Sequence, residues 1–274
     1  MGEMASKADR AGRRAENSRG LDHAVRFGLV VYGVVHLTFG WLAVQLAFGD
    51  SSGEASGTGA LQELAEQPLG GVVLWLIAAG MVLMVLWRLL DAVLGHQRDE
   101  GFSLWRRRIS DIGMAVVYGV LAYSAVSTVL GSSSSSEDSS ETLTARVFEL
   151  PGGQWIVGAI GLGIIAVAVG LVWQGLSESY MTNLDTDGHR GHDARAYRIL
   201  GKIGYLAKGA TIAIVGVLFG VSAIQQEPSE SGSTDQALRQ LLEQPFGPYL
   251  LIAMAAGIAS YGLFCFAQAK HLSR

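Results

Sequence analysis

Charge is what this sequence lacks most. Only 16% of its 274 residues are Asp, Glu, Lys or Arg, where a soluble domain carries about 25%. Half of the residues are apolar, so an ordinary water-soluble enzyme is a poor fit. A single cysteine, Cys265, excludes an intrachain disulfide and any cysteine-built zinc or iron–sulfur centre. Five prolines beside 36 glycines exclude collagen-like and proline-rich chains. A net charge of −4 argues against a nucleic-acid partner, which calls for a basic surface. No phosphate-binding loop, nucleophile elbow, HExxH or CxxC is present, so no catalytic motif points to an enzyme and no cofactor is implied.

What the sequence has instead is long uncharged runs. A bilayer core of roughly 30 Å needs about 20 apolar residues in a helix. Six runs approach or exceed that length: Phe27 to Phe48, Leu69 to Trp87, Ile112 to Gly131, Leu150 to Ser177, Gly209 to Gln226 and Gln244 to Ala269. Ile203 to Leu206 extends the fifth past Lys208. Soluble helices need a polar face and rarely give six such runs. The fold class expected is therefore an all-α integral membrane protein with six transmembrane helices.

Charge placement sets the expected orientation. Of the 20 Lys and Arg, 18 fall in or beside the N-terminal tail, the second and fourth connections and the C-terminus; only Arg146 and Arg239 lie in the other three connections. The positive side faces the cytoplasm, so both termini are expected there, in a bacterial plasma membrane. Trp75 and Trp155 near the outer ends, and Trp87, Trp105 and Trp173 near the inner ends, suit interfacial anchoring.

The runs repeat three times. Pro68, Pro151 and Pro245 are each followed two residues later by Gly70, Gly153 and Gly247, and twelve residues later by Gly80, Gly163 and Gly257. Tyr32-Gly33, Tyr118-Gly119 and Lys208-Gly209 mark the other helix of each pair. A repeat of two spans keeps its copies in one orientation, which places the symmetry axis along the membrane normal. We expect pseudo-threefold symmetry, with 1–21 a basic cytoplasmic tail, 22–96 the first repeat, 106–180 the second and 197–270 the third. Before each proline an amphipathic stretch (around Leu61 and Leu64, Val147 and Phe148, Leu238 and Leu241) reads as a short helix lying on the outer membrane surface or capping the bundle. Each proline is expected in the first turn of the span it precedes. Gly216 and Gly220 form a GxxxG read as general helix packing. The second repeat departs most: it has Leu150 where the others have glutamine, and Ile112 where the others have Arg26 and Lys202.

This arrangement resembles the bacterial family catalogued as domain of unknown function 1206. Arg26-x-Gly28, Tyr32-Gly33, Tyr118-Gly119, Gly204-Tyr205, Lys208-Gly209 and the three Pro-x-Gly steps carry the resemblance. It implies a bacterial plasma-membrane protein and brings no catalytic residues with it.

Ionisable groups inside a bilayer are functional candidates by default. His36 lies ten residues past Arg26, about 15 Å along the helix, near the midplane. Arg88 and Asp91 share one helix face and can pair. Asp91, Gln174 and Gln268 each stand 23 residues after their proline and could form a polar layer at the inner end of the axis. Lys208 and Asp111 read as anchors near the inner interface. His96, His189 and His192 read as solvated loop residues, and no set of ligands completes a metal site. The partners expected are the lipid bilayer, anionic lipid at the basic N-terminal tail, and a membrane-protein partner or a second copy. The function these features suit best is a non-enzymatic membrane scaffold or accessory protein that binds lipid or a partner complex. The alternative is a small transporter or channel with a polar path on the pseudo-threefold axis.

Overall fold

A computed structural model describes residues 19–49, 53–94, 102–131, 136–184 and 193–272. Most of the basic tail, the loop histidines His96, His189 and His192, and most of the serine run after Gly131 lie outside the described residues. Among the described residues nine α-helices follow in order: α1 Arg19–Ala47, α2 Gly57–Glu66, α3 Gly70–Leu94, α4 Phe102–Val129, α5 Ser136–Phe148, α6 Gly153–Ser177, α7 Ala194–Gln225, α8 Thr234–Leu242 and α9 Gly247–Lys270. The six longer ones (α1, α3, α4, α6, α7 and α9) are long and apolar enough to cross a membrane. In hydrocarbon a helix satisfies all its backbone groups internally, which is why such sequences adopt it. At the ends next to the termini the helices outrun the uncharged stretches: α4 begins at Phe102 and α7 at Ala194. Helix therefore continues into the charged segments Arg106–Arg108 and Arg195–Lys202.

The three hairpins are woven cyclically. The second span of each repeat packs most broadly on the first span of the next: α3 on α4, α6 on α7, and α9 back on α1. This exchange closes the ring about a pseudo-threefold axis. Within repeats, α1 meets α3 and α7 meets α9, but α4 and α6 are not in broad contact among the described residues. The ring is therefore open on one edge, within the second repeat. Exposure follows: 61% of the α1 span is buried inside the protein against 17% of α6. Two of the three cyclic interfaces close on paired glycines. A Cβ on Gly33 would stand 2.9 Å from the Gly262 carbonyl, and one on Gly262 2.8 Å from that of Gly33. Gly161 and Gly216 do the same at 3.1 Å. Small residues at such crossings let backbones approach and gain dispersion contact in lipid. Gly216 thus packs within the chain, while a Cβ on Gly220 would meet nothing within 4 Å.

The short helices cap one end of the bundle. Ser56 and Ser233, each twelve residues before a proline, cap α2 and α8 by accepting from Gly59 N at 2.9 Å and Gln236 N at 3.2 Å. Leu61 and Leu238 are fully buried beneath them. The Ala55 amide donates to Asp235 Oδ1 at 2.6 Å, and Arg239 holds the other carboxylate oxygen at 2.5 Å, tying the first cap to the third.

One turn recurs at every entry to a second span, and it corrects the expected place of the prolines. Each span starts at the glycine of Pro-x-Gly, so the proline stands outside the helix. The residue between is left-handed in all three copies: Leu69 at φ 67°, Gly152 at 76° and Phe246 at 64°. Gly70, Gly153 and Gly247 donate to the residue before the proline, at 2.8, 2.9 and 2.8 Å, as in a type II turn. A Cβ on any of the three would collide with backbone carbonyls of the short helix just ended, at Ala65, Val147 and Leu242. Proline fixes the first turn residue, and glycine lets two helix ends nearly touch. We expect Gly153→Ala or Gly247→Ala to destabilise the protein by about 1–3 kcal/mol through overpacking. Gly71→Ala, whose Cβ meets nothing within 4 Å, should leave the detergent melting temperature unchanged or raise it slightly.

Candidate functional site

Tyr32, Tyr118 and Lys208 are equivalent positions of the three repeats, one residue before Gly33, Gly119 and Gly209. The structure brings all three to the axis. The Lys208 ammonium donates to the Tyr32 hydroxyl at 2.7 Å. It also lies 4.9 Å from the centre of the Tyr32 ring and 4.2 Å from that of Tyr261. The Tyr118 ring meets Tyr32 edge-on at 5.1 Å. His36 packs against Tyr32 at 4.2 Å and Tyr261 at 4.9 Å. Its Nδ1 is 2.9 Å from the Tyr32 carbonyl. A carbonyl only accepts, so Nδ1 carries the proton of that bond.

This arrangement corrects the reading of Lys208 as an interfacial anchor. Its side chain turns inward because two ring faces and a phenol oxygen replace the water it leaves, each cation–π contact contributing about 0.5–2 kcal/mol. No carboxylate lies within ion-pair distance of it among the described residues. Sequence reasoning noted the equivalence of Tyr32, Tyr118 and Lys208 but drew no site from it. It missed Tyr261, since a lone tyrosine in an apolar helix carries no local signal, and it noted Tyr205, whose ring meets Tyr261 at 5.3 Å, only as part of the Gly204-Tyr205 step.

A second cation stands on the level of Lys208. Arg88 lies 18 residues into α3 from Gly70, and Lys208 lies 17 residues before the α7 end at Gln225, roughly 26 Å from the capped end in each case. Arg88 donates to Asp111 of α4 at 2.9 Å, and Asp91 lies within its electrostatic reach. The Arg88 guanidinium is also 4.5 Å from the Trp87 ring centre. Tyr118 is within electrostatic reach of both Arg88 and Lys208.

The axis differs in access along its length. Towards the capped end it is filled: Tyr32, Tyr118, Tyr261 and His36 are 1, 2, 6 and 9% exposed. Towards the terminal end the Arg88 side chain keeps 25% exposure, and Lys208 is half-buried. Among the described residues no hydrogen bond joins Gln174 to Gln268 in the polar layer expected from Asp91, Gln174 and Gln268: Gln268 is buried in α9, and Gln174 is half-buried on α6. Among the repeat glycines, Gly80 packs on Phe27 and Val31, Gly257 on Ala207, and Gly163 faces open space. No group of three or more His, Cys, Asp or Glu suited to a metal occurs among the described residues.

At the terminal end, cations of the first spans meet the ends of the second spans they pack on. Arg26 donates to the Ala269 and Lys270 carbonyls at 3.0 and 2.8 Å, closing the C-terminus of α9. Lys202 and Arg198 reach Glu178, just beyond α6, at 3.9 and 3.1 Å. Beside Glu178, burial pushes the Tyr180 phenol up to about 12, with the nearby carboxylate adding to it. The phenol therefore stays protonated and donates to the Arg198 carbonyl at 2.6 Å. In the remaining pair the charges are exchanged, with Arg88 on the second span and Asp111 on the first.

Tyr32→Phe removes the one hydrogen-bond acceptor of Lys208 among the described residues and should cost about 1–3 kcal/mol. Lys208→Met should be neutral or stabilising, because it removes a half-buried charge at similar volume. Combining the two should recover most of the Tyr32→Phe loss. Detergent unfolding of the four proteins checks this, and strictly additive effects would contradict it.

The family model described as Domain of Unknown Function (DUF1206) matches the chain three times, at residues 27–95, 111–178 and 203–271. A protein of Bacillus subtilis (strain 168) described as "Uncharacterized protein YxxB" is 30% identical over 243 residues, covering 87% of this chain and 86% of that one. No solved structure matches.

Proposed function

We propose that this chain, which belongs to the DUF1206 family by its three matched repeats, is a non-enzymatic scaffold or accessory protein of the bacterial plasma membrane. Its termini lie in the cytoplasm, and it holds lipid or a partner complex at its lateral surface. The observation that carries this reading is the filled axis. Between the capped end and Lys208, interlocked rings of Tyr32, Tyr118, Tyr261 and His36 leave each of these side chains less than a tenth exposed. A solute path would have to part four packed rings. The open edge between α4 and α6 instead offers the flank as the binding face. Positive charge concentrated beside the termini supports the orientation.

One observation favours the alternative, a small transporter. Lys208 is an ionisable group held within a membrane span beside His36, a placement typical of ion and proton pathways. Reconstituted vesicles separate the two. The scaffold reading expects no proton or ion flux above protein-free vesicles, and Lys208→Met or His36→Ala should change nothing. Flux that either substitution abolishes would replace the scaffold with the transporter. Membrane-impermeant labelling of a cysteine placed at Ser229, in a Cys265→Ala background, should occur from outside the cell.

A further inference from the structure

We infer that the half-open terminal end of the axis is a binding site for the phosphate of an anionic inner-leaflet phospholipid, entered through the gap between α4 and α6. This rests on the scaffold reading and its orientation, and it names the ligand.

Three observations converge. The first is charge. Arg88 faces two carboxylates, Asp111 at 2.9 Å and Asp91 within electrostatic reach; Arg108 stands three residues before Asp111 on the same side of α4, and Lys208 shares the neighbour Tyr118 with Arg88, which sets three cations against two carboxylates among the described residues. An excess of positive charge at this depth calls for an anion. The second is unmet hydrogen-bonding capacity. The Nε–H groups of Arg88 and Arg108 are both buried with no partner. Arg88 stacks on Trp87, which covers the face of the guanidinium, and while one terminal nitrogen donates to Asp111 the Nε–H stays unanswered. A phosphate diester supplies charged acceptor oxygens matched to guanidinium edges. The third is access. Arg88 and Lys208 keep partial exposure while the rings above them have almost none, so the site is a dead end that opens below and sideways.

The depth suits a headgroup. Arg88 and Asp111 lie 18 residues from the capped ends of α3 and α4, about 27 Å, close to the thickness of the hydrocarbon core. Around them Trp105, Ile109, Ile112 and Val116 of α4 expose apolar surface along which an acyl chain can lie. The other two repeats close the corresponding edge with helix contacts, so threefold equivalence predicts one site and not three.

The full chain, purified in neutral detergent, is mixed with phosphatidylglycerol, phosphatidylcholine or sodium phosphate in parallel arms and followed by thermal unfolding and native mass spectrometry. Phosphatidylglycerol should bind and raise the melting temperature by several degrees, while phosphatidylcholine and inorganic phosphate should not. Lys208→Met, Arg108→Gln and the paired exchange Arg88→Gln with Asp111→Asn should each weaken the phosphatidylglycerol effect about tenfold; Arg146→Gln, beyond the opposite end, should leave it intact. If the paired variant does not fold, the two single variants decide. Equal stabilisation by phosphatidylcholine, full reproduction by inorganic phosphate, or unchanged affinity in Lys208→Met and Arg108→Gln would each overturn the proposal. Any of these without vesicle flux leaves the scaffold reading standing, whereas flux removes that reading whatever binds here.

Discussion

A helical hairpin in lipid has no hydrophobic drive to fold back on itself, because the tails around it are as apolar as its own side chains. Here the solution is exchange: the second helix of each repeat is packed chiefly by the next repeat, and the third hands its second helix back to the first. Everything else follows from that closure. It makes the first and last spans neighbours, lets Arg26 cap the C-terminus of α9, and carries Tyr32, Tyr118 and Lys208 to one axis. Close packing in lipid comes from shape, so two of the three cyclic interfaces set glycine against glycine, Gly33 with Gly262 and Gly161 with Gly216.

The second repeat breaks the symmetry in a coordinated way. Its two spans do not pair broadly with each other among the described residues, its Gly163 faces open space, and the Arg88–Asp111 bridge that joins it to the first repeat has its cation on the second span, where the other two interfaces carry theirs on the first. An all-apolar ring with six closed edges would have no side entrance. One lapsed edge beside one inverted ion pair produces a basic recess while the remaining edges of the ring stay packed. The Pro-x-Gly turns preserve registry throughout, since in each a left-handed residue and a glycine lock the cap helix to its span.

Much of this was legible beforehand. The six spans, the repeats and the capping stretches follow from hydropathy and from the spacing of prolines and glycines, because lipid and turn sterics act on local composition. The second repeat already stood out through Leu150 and Ile112. The site was legible only in fragments. Lys208 read as an anchor because a lysine near a span end ordinarily snorkels to water; two rings from α1 and α9 redirect it. Asp91 was the anticipated partner of Arg88, whereas the 2.9 Å bond goes to Asp111 on the adjacent helix. The prolines were placed one step too far into the helices, since the left-handed residue between proline and glycine is a product of two helix ends meeting.

By itself the sequence determined how many times the chain can cross a bilayer, where each crossing begins to turn, and that three copies of one unit are joined. These are properties of windows about twenty residues long, set by the free energy of putting side chains and backbone into hydrocarbon. Which helix each span leans on, which edge stays open, and which charges share the axis were decided only by tertiary structure. Lipid-facing and helix-facing apolar residues have the same composition, and groups 176 residues apart, such as Lys208 and Tyr32, acquire a relation only when the ring closes.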